Sequence, residues 1–309
     1  MNKDIEKVWL KRGVALEKLE NAELDLEYKV FGTGEKILLI EIGIGSSIYN
    51  WFPFVKNIMK DFTIIMYHRA GYGSSRISKN PRTTKNISYE LNKLIESLGI
   101  KEKVTIMGHS FGGLCALHYA MLFPDKVNGL ILLDSTSPNF NRLYNLDIPV
   151  MNSLISIDQM VQSNLDNSYK SKDELRNLYN QSIDDCNDIL TKNEVIRFEE
   201  FITSPNMFKT VAEEFQNWES SSESIKELAE FPNIPLTVIA RDIEASVIAF
   251  VQYNIPEEEA EKYEKVWREL QKGLSQLSTK GELIIADRSD HGIHLDRPDI
   301  VIQGLKRFL

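Results

Sequence analysis

One five-residue stretch, Gly108-His109-Ser110-Phe111-Gly112, constrains this chain more than any other. An apolar run, Val104 to Met107, precedes it, and a second apolar run of helical length, Gly113 to Phe123, follows. Strand, sharp turn and helix in that order form a nucleophile elbow, with the serine exposed at its tip. The turn is so tight that the positions two before and two after the serine must be small. Gly108 and Gly112 meet that demand. The helix begins beneath the serine, so its first N–H groups and the positive end of its dipole face any oxyanion formed there.

The rest of the chain supplies strands and helices in alternation. Leu24 to Phe31, Lys36 to Ile42, Phe62 to Tyr67, Val127 to Leu133, Ile234 to Ala240 and Glu282 to Ala286 read as further strands. Ile48 to Lys60, Thr83 to Leu98 and Ile300 to Leu309 read as helices between or after them. The alternation predicts an α/β chain with a mainly parallel sheet covered by helices on both faces. After Pro138 the pattern changes. Residues 139–230 are polar and helix-like, with Met151 to Leu165, Lys172 to Leu190 and Val195 to Ile202 amphipathic. A second helical excursion, Pro256 to Leu277, opens on Glu257, Glu258 and Glu259, as the dipole prefers. The expected organisation is a lead-in over 1–24, a core over 25–138 and 231–309, and a helical cap inserted at 139–230.

Length and composition narrow the class. The chain has 309 residues, enough for one large α/β domain with an insertion. Its net charge of -9 argues against nucleic acid or an anionic membrane as main partner, without identifying one. No apolar run spans a bilayer, and the N-terminus lacks a secretory core, so a cytoplasmic location is expected. The two cysteines, Cys115 and Cys186, are far apart and form no metal spacing. The sequence does not set the oligomeric state.

A serine hydroxyl needs a base to take its proton. His291 follows the last strand in Asp287-Arg288-Ser289-Asp290-His291-Gly292, where a loop at the C-terminal end of the sheet carries it. Elbow, strand alternation and this histidine segment together resemble the α/β-hydrolase superfamily, from about residue 25 to the end. In that family the catalytic histidine is followed by an acidic residue five positions on and a proline two further. Asp296 and Pro298 stand at those offsets from His291, which favours it over His294.

The resemblance implies the remaining roles. The family order is serine, acid, histidine. The acid follows either the strand before the cap or the next core strand. Asp134 matches the first place and is preferred; Glu244 and Asp242 fall at the second and remain alternatives, in a loop where Arg241 replaces the usual glycine. The oxyanion hole takes one N–H from Phe111 and another from Gly43 or Ile44. Where the family opens that loop with His-Gly, this chain has Glu41-Ile42, and a carboxylate there is expected to repel an anionic intermediate. His109, His68 and Arg69 read as structural first, and Trp51, Phe52 and Phe54 as core.

The implied activity is hydrolysis of a small acyl substrate, a carboxylic ester foremost, through an acyl-enzyme and with no metal or organic cofactor. An iminopeptidase-type peptidase, a lactonase and a carbon–carbon bond hydrolase are alternatives on the same fold, as is a non-catalytic small-ligand-binding homologue. A scaffold acting through acidic cap helices has little in its favour.

Overall fold

The computed structural model describes residues 25–228 and 230–309, together with the backbone of 17–18. The remaining lead-in and Leu24, where the first strand was expected to start, lie outside the described residues. Among the described residues eight strands form one sheet: β1 (Glu17–Lys18), β2 (Glu27–Phe31), β3 (Lys36–Glu41), β4 (Phe62–Tyr67), β5 (Val104–His109), β6 (Val127–Leu133), β7 (Leu236–Arg241) and β8 (Gly281–Ala286). They lie in the order β1-β2-β4-β3-β5-β6-β7-β8. The first two pairings are antiparallel and all those from β4 to β8 are parallel. The expected mainly parallel α/β architecture is therefore present.

Alternating side chains along each strand feed two cores. Leu39, Ile65, Ile106, Leu130 and Val238 pack on one face. Leu38, Ile40, Ile64, Met107, Ile131 and Ile239 pack on the other. Burial on both faces explains why these strands read as continuous apolar runs rather than as polar–apolar alternation.

Fourteen α-helices are assigned among the described residues: α1 (Phe52–Val55), α2 (Thr84–Ser97), α3 (Phe111–Leu122), α4 (Pro149–Ile155), α5 (Ile157–Ser168), α6 (Lys172–Leu178), α7 (Asn180–Asp185), α8 (Lys192–Ile202), α9 (Pro205–Gln216), α10 (Trp218–Lys226), α11 (Ile243–Gln252), α12 (Glu257–Ser275), α13 (Ile293–Asp296) and α14 (Pro298–Leu305). Seven of them, α4 to α10, lie between β6 and β7, the segment whose composition departs from the core. Their apolar faces form a cluster of Leu175, Phe201, Met207, Phe208, Val211 and Phe215 around Tyr72 of the core.

Several elements differ from their sequence reading. The Ile48 to Lys60 helix is a 3-10 turn, Ile48–Trp51, and the single turn α1, with Pro53 in the first turn of α1, where its missing N–H costs nothing. The expected Lys172 to Leu190 helix is broken into α6, α7 and a further 3-10 turn. Helix α11 was not anticipated. Its sequence, IEASVIAFVQ, is apolar nearly all round and rich in β-branched residues, so it carries no amphipathic stripe.

The sheet order reverses around β3: the chain passes from β3 to β4 on one side and later to β5 on the other. In parallel sheets the crevice beyond the strand ends at such a switch point is where ligands bind. Glu41 at the end of β3 is in register with Gly108 near the end of β5, so the loop after β3 and the elbow meet there.

Candidate active site

The elbow is tighter than its sequence suggested. Strand β5 runs on to His109 and α3 starts at Phe111, so Ser110 alone makes the turn. Its backbone has φ 55° and ψ -125°, a region that L residues rarely occupy. Close packing holds it there. A Cβ on Gly108 would meet the Gly112 carbonyl and Gly113, and one on Gly112 would overlap the Glu41 carbonyl. Gly113 carries the same constraint against Ser135. The elbow backbone is also stitched to the end of β6: Ser110 N–H donates to the Leu133 carbonyl at 3.1 Å, and Thr136 N–H to the Ser110 carbonyl at 3.0 Å. The Ser110 hydroxyl makes no capping bond to α3 and is partly exposed.

Those stitches bring Asp134 beside the elbow. It is fully buried, at the first position after β6, and it too has positive φ, 40°. Asp134 Oδ2 lies 2.6 Å from His291 Nδ1 and accepts from Arg241 Nη1 at 2.9 Å. Oδ1 accepts from Trp267 Nε1 at 2.7 Å and from Arg241 N–H at 3.4 Å. Burial pushes this carboxyl up, but Arg241, His291 and Trp267 outweigh it and hold it well below the usual range. The orienting bond leaves His291 Nε2 as the nitrogen available to a reacting group.

Asp242 and Glu244, the alternatives for the acid, do other work. Asp242 caps α11, accepting from Glu244 N–H at 2.9 Å, and its second oxygen accepts from Arg288 N–H at 2.7 Å. Glu244 is exposed in the first turn of that helix. The structure brings Ser110, Asp134 and His291 to one end of the sheet, and these two acids are not bonded to His291.

The unusual Arg241 has its own support. Its guanidinium is buried between Asp134 and Glu264, with Nε 3.1 Å from Glu264 Oε2 and Nη2 bonded to Oε1. Glu264, Trp267 and Gln271 line one face of α12, at helical spacing. Gln271 donates to the Ser135 carbonyl at 2.7 Å. These polar side chains share the buried face of α12 with Ala260, Leu270 and Leu274, and each finds a partner there.

The histidine loop explains the spacing that singled out His291. Asp296 Oδ2 accepts from Asp290 N–H at 3.0 Å, pinning the residue before the histidine, and Pro298 starts α14. His109 Nε2 donates to the His291 carbonyl at 2.9 Å, which holds that loop against the elbow. Burial and the His291 ring push His109 down to about 3, so it stays neutral. His294 stacks on Trp51 at 3.7 Å between ring centroids. Trp51, Phe52 and Phe54 are buried in the core. His68 bridges Glu27 at 2.8 Å and Ser47 at 3.2 Å, as a turn-fixing residue does.

The oxyanion candidates lie on two elements. Phe111 opens α3, so its N–H has no intrahelical acceptor. Gly43 faces the elbow: a Cβ there would sit 3.6 Å from Ser110 Cβ. Glu41 does not stand free beside them. Tyr67 OH donates to its Oε2 at 2.6 Å and Arg69 Nη1 to its Oε1 at 2.9 Å. The repulsion expected of a bare carboxylate at this position is thereby relieved. Among the described residues no group of three or more His, Cys, Asp or Glu is placed to hold a metal ion, and no helix is long and apolar enough to cross a membrane.

A family model for the alpha/beta hydrolase fold matches residues 36–218. A curated relative, an AB hydrolase superfamily protein of Gibberella zeae, is 21% identical over 297 residues, covering 89% of this chain and 86% of that protein. Several other curated relatives are matched over less than half of their own length. Among solved structures, a thermophilic esterase from Thermogutta terrifontis aligns with TM-score 0.60 at 17% identity, covering 96% of this chain and 97% of that one. Est816, described as an N-acyl homoserine lactone degrading enzyme, aligns with TM-score 0.63 at 13% identity, covering 95% of this chain and all of the other. At these identities the likeness is one of fold.

Proposed function

The chain belongs to the α/β-hydrolase family, and from that premise we propose that it is a serine hydrolase acting on a small acyl substrate, foremost a carboxylic ester. Ser110 is the nucleophile, His291 the base and Asp134 the acid. His291 Nε2 takes the Ser110 proton as Oγ bonds to the acyl carbon, and the carbonyl oxygen becomes an oxyanion. Phe111 N–H and Gly43 or Ile44 N–H hold that oxyanion. As the tetrahedral species collapses, the bond to the leaving alkoxide breaks and His291 returns the proton to it. Water, deprotonated by the same histidine, then attacks the acyl-enzyme and frees the carboxylic acid and Ser110. Asp134 keeps the proton of the neutral imidazole on Nδ1 and stabilises the imidazolium that forms. These steps draw on side chains, backbone N–H groups and water.

The observation that carries this reading is the 2.6 Å contact between Asp134 Oδ2 and His291 Nδ1, at the sheet end where Ser110 sits in a strained elbow. Among the described residues no hydrogen bond yet joins Ser110 Oγ to His291. Such contacts are often loose before substrate binds. Residues 139–230 act in this reading as a cap that shapes the acyl pocket. Lactones and amides undergo the same acyl transfer, so the cap rather than the triad sets the choice among them.

The test is intact mass after exposure to a fluorophosphonate, with Ser110→Ala as control. One adduct on the wild type and none on the variant is the expected result. A folded wild type that takes no adduct would favour a ligand-binding homologue and sink the proposal.

A further inference from the structure

Arg69, in the turn after β4, has no solvent exposure and is held by two carboxylates from distant parts of the chain. Nη1 bonds Glu41 Oε1 at 2.9 Å, while Nε and Nη2 bond the two oxygens of Glu214 at 2.8 and 3.2 Å. Glu214 is itself fully buried and lies on α9, in the segment between β6 and β7. The same guanidinium grips the loop after β3. Nη1 donates to the Ile42 carbonyl at 2.6 Å and Nη2 to the Gly43 carbonyl at 3.0 Å.

Those two carbonyl bonds fix more than carbonyls. A trans peptide is planar, so its C=O and the following N–H point in opposite directions. The described residues contain no cis peptide. Drawing the Ile42 carbonyl towards Arg69 turns the Gly43 N–H away from it. Drawing the Gly43 carbonyl the same way turns the Ile44 N–H away as well. These are the two N–H groups offered above for the second half of the oxyanion hole. A third bond holds the loop further on: Gly45 N–H donates to Tyr72 OH at 2.9 Å, and Tyr72 OH donates to Glu214 Oε2 at 2.6 Å.

We propose that Glu214 is a positioning residue for the oxyanion hole, acting from the inserted helices through Arg69 and Tyr72. It holds in place both side chains that bond the Gly43 loop, Arg69 as donor and Tyr72 as acceptor, so the hole is complete only with α9 docked on the core. The inserted segment is then part of the catalytic framework at this edge, whatever its outer helices do. The inference rests on the serine-hydrolase reading, because it concerns the donors that the reading assigns. Glu41 meets Arg69 through Nη1 alone, whereas Glu214 takes Nε and Nη2 together as a fork, the contact that fixes the plane of the guanidinium.

The experiment compares wild type, Glu214→Gln and Tyr72→Phe, all as full chains, with a carboxylic ester and with phenylboronic acid, which forms a tetrahedral adduct on an activated serine. Fluorophosphonate labelling of the wild type comes first. If the wild type takes no label, the serine-hydrolase reading has failed and this inference falls with it. If it labels, Glu214→Gln is expected to lower kcat about tenfold to a hundredfold with KM within about threefold. Boronate affinity should fall in parallel, and Tyr72→Phe should show the same pattern more weakly. A purely structural role would instead change melting temperature and leave kcat per folded molecule alone. A folded Glu214→Gln with wild-type kcat, or with its loss in KM alone, overturns the proposal. Should Glu214→Gln not fold, Tyr72→Phe, which removes one hydroxyl, decides it by the same criteria.

Discussion

Arg241 and His291 draw on the same oxygen. Arg241 Nη1 and His291 Nδ1 lie 2.9 and 2.6 Å from Asp134 Oδ2, and 3.5 Å from each other. With Trp267 and a backbone N–H on Oδ1, the carboxylate meets donors on every side. Replacing it by an amide would set an NH2 group against donors and leave His291 without its orienting acceptor. Asp134→Asn is therefore expected to lower kcat by about 10³ to 10⁴. Asp242→Asn and Glu244→Gln, which alter the start of α11 and its bond to Arg288 but no contact of His291, should stay within about twofold. Turnover of one ester by the three variants checks this, and near-normal activity in Asp134→Asn would overturn the choice of acid.

The Arg241–Glu264 pair carries a prediction about stability. Both side chains are buried, and Ser246 Oγ donates to Glu264 Oε1 at 3.1 Å. Removing the arginine alone strands Glu264 in a site built for a charge pair. Arg241→Met is expected to cost about 3–5 kcal/mol of unfolding free energy. Adding Glu264→Leu removes the stranded charge and should recover a large part of that loss. Urea denaturation of both variants gives the comparison. A double variant as unstable as the single one would mean that the cost lies in Asp134 or in packing.

The fold was legible wherever apolar burial is periodic or continuous. Strands β4 and β6 begin and end where their apolar runs do, and α2 fills the periodic run read from Thr83 to Leu98, with those two residues as its caps. The elbow was legible because Gly108 and Gly112 answer a steric demand that few other residues satisfy. What the chain alone could not show is which distant polar groups meet. Trp267 lies 133 residues from Asp134, and Glu214 lies 145 from Arg69. Each sits on a helix whose spacing reads as ordinary amphipathicity. Arg241 stood out as a departure from a family pattern, but its partner Glu264 had no local signal at all.

Buried neutral histidines tie stability to pH. Burial holds His109 at about 3 and, with Lys85, His118 at about 4, against an ordinary 6.5. Burial, His109 and His291 hold His294 well below its ordinary value. Between the folded and unfolded values the unfolded chain binds more protons, so acidification favours unfolding, starting near pH 6.5. Glu27 acts in the same direction at lower pH. Burial raises it, but the His68 contact and Ser74 N–H outweigh burial and bring it to about 2 from 4.5. Its stabilising contribution is present above pH 4.5 and is lost as pH falls towards 2. For His109 alone the loss from pH 7 to pH 5 is roughly 2 kcal/mol. Urea midpoints at the two pH values are expected to differ clearly, and His118→Gln should narrow the gap. Equal midpoints would show that these rings are not held neutral.

The elbow itself trades stability for reach. Ser110 sits at φ 55° and ψ -125°, where a Cβ is strained and glycine is not. Strain of this kind costs about 1–3 kcal/mol. Ser110→Gly removes it and at the same time loosens the unfolded chain, which takes back about 0.4–1 kcal/mol. Ser110→Ala keeps the strained Cβ and loses only the hydroxyl. Both variants should be inert to fluorophosphonate, yet the glycine variant should be the more stable by roughly 1 kcal/mol, an estimate that combines those two effects. Paired urea titrations of the two variants measure the difference. An alanine variant as stable as the glycine one would mean that the glycines packed around the turn, rather than the serine, absorb the strain.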